Sequence, residues 1–125
     1  NNSHKFICKN VYLKTVTHKS LISGYSKKSV LKIPIAHAEG RFYADDKTVS
    51  DLIKNDQIIF KYCDQDGNVN NEVNPNGSLN NIAGICNLER NVFGMMPHPE
   101  RAADTNLSND DGKFLFDSLI QKFTY

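Results

Sequence analysis

The chain has 125 residues, with 15 Lys+Arg against 14 Asp+Glu and a formal charge of +1. That length fits one domain and not two. The charge balance argues against a dedicated nucleic-acid binder, which would concentrate basic charge on one face, and no apolar run approaches the roughly 20 residues of a membrane span. Hydrophobic residues make up 39% and aromatics 10%, a globular composition. The cysteines, Cys8, Cys63 and Cys86, are three in number without C-x-x-C spacing. They argue against a disulfide framework or a Cys-rich zinc site and for a reducing, cytoplasmic setting.

In chain order, residues 5–16 alternate apolar and polar and predict a strand. The apolar face shifts between Cys8 and Val11, as a bulge near Lys9-Asn10 would produce. Residues 17–29 are polar and predict a loop. Val30 to His37 predicts a second strand, and Pro34 within it, unable to donate to a ladder, places that strand at an edge or irregularity. Thr48-Val49-Ser50-Asp51 has the pattern of a capping box, followed by a short helix to Asn55. Residues 57–63 predict a strand closed by a turn at Asp66-Gly67.

Residues 68–81 hold seven Asn together with Pro75 and Gly77. No core-forming period survives there, and a long ordered loop of this kind is more often functional than a plain connection. Ile82–Cys86 and Val92–Met96 predict a hairpin turning at 87–91. Ser108-Asn109-Asp110-Asp111 is a second capping-box pattern, with Asp110-Asp111 favoured at a helix N-terminus. Behind it Phe116, Leu119, Ile120 and Phe123 form the apolar stripe of a closing helix.

The chemistry-bearing segment is Met95-Met96-Pro97-His98-Pro99-Glu100-Arg101. Proline fixes its own φ and holds the residue before it extended, so Met96 and His98 are constrained. In extended chain His98 and Glu100 project the same way. A carboxylate beside an imidazole is the base-plus-orienter part of a nucleophilic triad. A surface histidine in a proline-rich turn gives the same spacing. His37-Ala38-Glu39 repeats the H-x-E pattern, and the two pairs together also match a His/carboxylate metal site, although nothing in the sequence brings residue 37 to residue 98.

Several blocks together resemble the class I (triad) glutamine amidotransferases, and more narrowly the glutaminase subunits of phosphoribosylformylglycinamidine synthases. They are residues 2–9, Ile33 to Asp45 with its I-P-I-A-H-A-E-G-R-F, Phe60-Lys61-Tyr62, Asn74-Pro75-Asn76-Gly77-Ser78, Ile82–Ile85 and Asn91 to Arg101. Ala38 stands where the resemblance leads one to expect glycine. The implied fold is α/β, the C-terminal portion of a flavodoxin-like amidotransferase domain with a mixed sheet and few helices. Residues 1–125 are then a single partial domain.

The resemblance implies a Cys-His-Glu glutaminase that hydrolyses glutamine and passes ammonia to a large synthase subunit, assisted by a small accessory subunit. That partner uses ATP and magnesium to amidate formylglycinamide ribonucleotide, and no cofactor is expected on this chain. His98 is the implied general base and Glu100 its orienting acid.

The nucleophile is expected on a strand-to-helix turn of the Gly-x-Cys-x-Gly type. Gly84-Ile85-Cys86-Asn87 imitates that turn, but Leu88 follows and a charged turn replaces the helix. Cys8 and Cys63 fall on strands, where free cysteine is usually a small buried hydrophobe. The nucleophile is therefore expected in an N-terminal half preceding these residues, with which the absence of an initiating methionine agrees. The competing reading is a non-catalytic α/β interaction module of the same ancestry. His37, Glu39 and the Asn74–Ser78 loop carry no assigned role, and Lys27-Lys28 and Lys54 read as solvated charges.

Overall fold

A computed structural model describes residues 7–17, 30–37, 42–90, 92–98, 111–113 and 116–118, with backbone alone at 7–9, 36 and 37. Strands β1 (Ile7–Thr15), β2 (Val30–His37), β3 (Ile58–Cys63), β4 (Ile82–Cys86) and β5 (Phe93–Met95) form one sheet in the order β2-β1-β3-β4-β5. All four ladders are antiparallel. Helix α1 (Asp46–Lys54) precedes β3. The α/β organisation with few helices is the expected one, while the sheet, expected to be mixed, is antiparallel throughout the described residues. Among the described residues no helix is long and apolar enough to cross a membrane.

The β1–β2 register runs unbroken from Ile7↔His37 to Lys14↔Val30. No bulge interrupts it, so the shift expected at Lys9-Asn10 is absent. The irregularity lies instead between β3 and β4, where the register shifts around Phe60. A bulge puts successive residues on one side, and Ile59 and Phe60 accordingly both enter the main core while Ile58 enters a second one.

The main core draws on all five strands: Val11 and Leu13, Leu31, Ile33 and Ile35, Ile59, Phe60 and Tyr62, Ala83 and Cys86, with Phe93 and Met95 packed against them. A flat five-stranded sheet does not bring its two end strands to one cluster, so the sheet curls around these side chains. On the other face Leu52 of α1 covers Ile58 and Ile82. Gly84 sits where a Cβ would meet the Phe60 ring at 3.0 Å and Met95 Cβ at 3.3 Å, so bulk is excluded at the hairpin's centre.

The N-cap of helix α1 lies three residues before the one read from the sequence, Thr48. Asp45 is the N-cap, its Oδ1 accepting the Thr48 N–H at 2.8 Å. Thr48 thus serves as the donor of a cap. The helix ends at Asn55, near its expected limit, and Arg90 of the β4–β5 turn donates to the Asn55 and Asp56 carbonyls at 2.9 and 2.7 Å. Those are carbonyls of the kind a helix end leaves without partners.

The turn after β3 is held by Asp64. Its carboxylate accepts from the backbone N–H groups of Asp66 and Asn68 and from Asn68 Nδ2, and Gly67 takes φ +88°. These bonds, the Asn68 backbone donor foremost, hold the carboxyl below its ordinary 3.8. A carboxyl depressed on folding adds stability above its unfolded pKa, and that stability is lost as pH falls through the folded value. The Asp64→Asn variant is therefore expected to lose less stability than the native chain below pH 3.8, which denaturant titrations at stepped pH measure.

Candidate functional site

His98 is placed by two backbone bonds and one buried ring. Met96 N–H donates to the Ala83 carbonyl at 3.3 Å, extending the β4–β5 ladder by one residue. Two residues on, the His98 N–H donates to the Pro34 carbonyl of β2 at 2.8 Å. Between them Pro97 is fully buried. The chain thus steps from one end of the strand order to the other within two residues, and His98, half-buried, sits on the seam where the curled sheet meets itself.

The acceptor is available because of strand parity. In an antiparallel ladder, residues of non-hydrogen-bonded pairs direct N–H and C=O away from their partner strand. Lys32 N–H points to the outer edge, where it donates to Asp111 Oδ2 at 2.9 Å. Pro34, two residues on, faces the same way. Its missing donor costs β1 nothing, and β2 is the edge strand that proline in the sequence predicts. Asp111, read from the sequence only as a helix N-terminal residue, also ties the chain to β2.

Glu100 and Glu39 lie outside the described residues, so their contacts with His98 and His37 remain expectations. His37 ends β2, three residues from Pro34. Docking of His98 on Pro34 therefore brings residue 98 to the strand that carries residue 37, a proximity with no trace in sequence spacing. Among the described residues no group of three His, Cys, Asp or Glu is placed to hold a metal.

Cys86 lies at the opposite end of the hairpin from His98. It pairs with Phe93, and the extended chain from Phe93 to Met96 alone spans about 10 Å. Its Sγ receives the Arg90 Nη1–H at 3.9 Å. Burial pushes its thiol up, with Asp56 adding to the rise and Arg90 opposing it. Cys63, also buried, is pushed up to about 11 by burial first and by neighbouring Asp64 second. The thiolate is the nucleophilic form, and both sulfurs are held away from it.

The Asn-rich loop is a built polar unit. Asn74 Oδ1 accepts the N–H groups of Asn76, Gly77 and Ser78 at 3.2, 2.7 and 3.2 Å, while its Nδ2 donates to Ser78 O and Asn81 Oδ1. Asn76 Nδ2 donates to the Tyr62 hydroxyl at 3.3 Å, and Tyr62, desolvated in the core, has its pKa pushed up to about 12. Asn80 and Asn81 take φ of +51° and +58°, and Gly77 +79°, conformations that Asn and Gly tolerate best. Ser78 Oγ accepts the Phe42 N–H at 3.0 Å, and Leu79 N–H donates to Phe42 O at 3.0 Å. The loop thereby grips the chain directly after the H-A-E-G-R segment. Sequence reading found the loop and not this grip, because nothing local links residue 42 to residue 78.

Comparison with known proteins follows this geometry. The sequence profile of the CobB/CobQ-like glutamine amidotransferase domain matches residues 1–113. The chain is 54% identical over 121 residues to phosphoribosylformylglycinamidine synthase subunit PurQ of Methanocaldococcus jannaschii, covering 96% of this chain and 53% of that protein. It is 47% identical over 125 residues to the subunit of the same name from Methanosarcina barkeri, covering 99% and 54%. The structure of PurLQS from Thermotoga maritima matches with a TM-score of 0.77 at 35% identity, over 99% of this chain and 51% of that one. The chain spans about half the length of the curated relatives it matches.

Proposed function

The chain belongs to the CobB/CobQ-like glutamine amidotransferase domain family, and from that premise we propose that it carries the general-base half of a glutaminase site serving phosphoribosylformylglycinamidine synthase. The observation that carries this reading is His98 itself, half-buried, flanked by prolines and fixed on the sheet seam. A base held in this way acts without first being ordered, which is where catalysis by positioning originates. Glu100 is assigned as its orienting acid. The nucleophilic cysteine is assigned to an N-terminal half outside these 125 residues, because Cys63 and Cys86 are buried and Cys8, Cys63 and Cys86 all lie on strands rather than on a strand-to-helix turn.

In this reading the imidazole takes the proton from that thiol as sulfur attacks the carboxamide carbon of glutamine. It then returns the proton to the departing ammonia, and later activates the water that cleaves the glutamyl thioester. The large synthase subunit receives the ammonia and holds ATP and magnesium, and a small accessory subunit completes a cytoplasmic assembly. The naming of a PurLQS structure among the neighbours supports that partnership.

A glutamine-analogue electrophile tests the division of the site. The 125-residue chain alone is expected to hydrolyse no glutamine and to show no adduct on Cys8, Cys63 or Cys86 by mass spectrometry. Joined to a segment bearing the nucleophile, it is expected to gain glutaminase activity and one adduct, on that segment. An adduct on any of the three cysteines of this chain places the nucleophile wrongly, and inactivity of the joined protein favours the non-catalytic interaction module.

A further inference from the structure

We propose that Pro34 is a positioning residue for the His98 base, acting through its carbonyl as an acceptor-only site on the outer edge of β2. The inference rests on the reading of His98 as general base and names what holds it. Three observations meet here. The Pro34 carbonyl receives the His98 N–H at 2.8 Å. Strand parity turns Pro34 outward, as the neighbouring outward group, Lys32 N–H, demonstrates by its bond to Asp111 Oδ2. Pro97, fully buried, fixes the residue immediately before the histidine.

Any residue at position 34 would offer a carbonyl there. Only proline offers one with no N–H beside it and with φ already fixed near −65°. An outward N–H at this point would seek a partner from the same short segment, and the seam would acquire a second way to pair. Register is weakly specified wherever an edge can pair in more than one way. With proline the segment has one docking mode, and the imidazole that follows has one origin. The bond holds the backbone, the flanking prolines limit the rotation about it, and together they set where the ring begins.

The test is made in the complete glutaminase. Replacing the His98 amide by an ester, through the α-hydroxy analogue of histidine, keeps the imidazole and removes the N–H. We expect kcat to fall about tenfold while KM for glutamine stays within twofold, since a misplaced base loses rate rather than binding. An ester at Asn87 removes a similar bond, from Asn87 N–H to Val92 O at 3.0 Å, at the far end of the hairpin. It is expected to lower the unfolding midpoint with kcat unchanged. Pro34→Ala, which restores the donor and frees φ, is expected to lower kcat several-fold, again at constant KM.

Native kcat in both the His98 ester and Pro34→Ala overturns the proposal, as does a kcat loss equally large in the Asn87 ester. Should the His98 ester fail to fold, Pro34→Ala decides alone, and native kcat there overturns it. His98→Ala is run alongside: if that variant keeps its activity, the reading of His98 as base has failed and the positioning question does not arise.

Discussion

His98→Ala is expected to lower kcat for glutamine hydrolysis by about 10³-fold or more in the complete glutaminase, with little change in KM. General acid–base groups contribute about 10²–10⁴-fold, and removing one member of a cooperating nucleophilic triad costs nearly as much as removing all of them. In the proposed mechanism one imidazole serves several proton transfers, from the thiol, to the leaving ammonia and from the attacking water, so its loss is not repaired at a later step. The substitution separates chemistry from folding unusually well. The backbone N–H of residue 98 donates to Pro34 O, and alanine keeps that donor. Pro97, fully buried, stays in place. The unfolding midpoint is therefore expected to move little while the rate collapses. A glutaminase assay beside a denaturation curve measures both, and retention of more than a few per cent of the activity removes His98 from the mechanism.

Much of this was legible in the residues, and the boundary of legibility has a physical cause. Alternation in Leu31, Ile33 and Ile35 marks the buried face of β2, and Pro34 marks it as an edge strand. Both signals are local, and both hold in the structure. The hairpin of β4 and β5 follows from two apolar runs around a polar turn. What failed locally failed by small competitions. Asp45 outcompeted Thr48 as N-cap because an aspartate three residues upstream offered the Thr48 N–H a better-placed oxygen. The bulge expected in β1 appears between β3 and β4, where Gly84 must pass the Phe60 ring.

The rest of the site depends on closure of the sheet. No pattern within residues 95–101 announces that residue 98 docks on residue 34, or that Asp111 reaches Lys32. Such pairings are written in the curl of five strands, which is a property of the whole core. The same holds for Arg90, a turn residue by sequence that proves to hold the end of α1. His98 stands out in the sequence because proline chemistry is local; its docking partner does not, because a strand's outer edge is defined only once its inner neighbour is known.

Asn74→Ala is expected to cost about 3 kcal/mol of stability, a large loss for a side chain that is only half-buried. A typical hydrogen bond contributes about 1 kcal/mol net, and leaving buried partners without one costs about 1–3 kcal/mol more. Asn74 accepts three backbone N–H groups and donates twice, and three of the residues it serves, Asn76, Ser78 and Asn81, are themselves buried. Alanine strands those groups inside a loop that also carries the Asn76–Tyr62 bond and the Ser78–Phe42 grip. Asn74→Asp isolates the donating half. It keeps the acceptor for Asn76, Gly77 and Ser78, but sets an oxygen against Ser78 O and Asn81 Oδ1, where Nδ2 stood at 2.7 and 3.0 Å. Denaturant titrations at pH 7 should therefore find Asn74→Asp, like Asn74→Ala, below the native midpoint. A native-like midpoint for Asn74→Ala would mean that water replaces these partners at no cost, and that the loop does not hold Phe42.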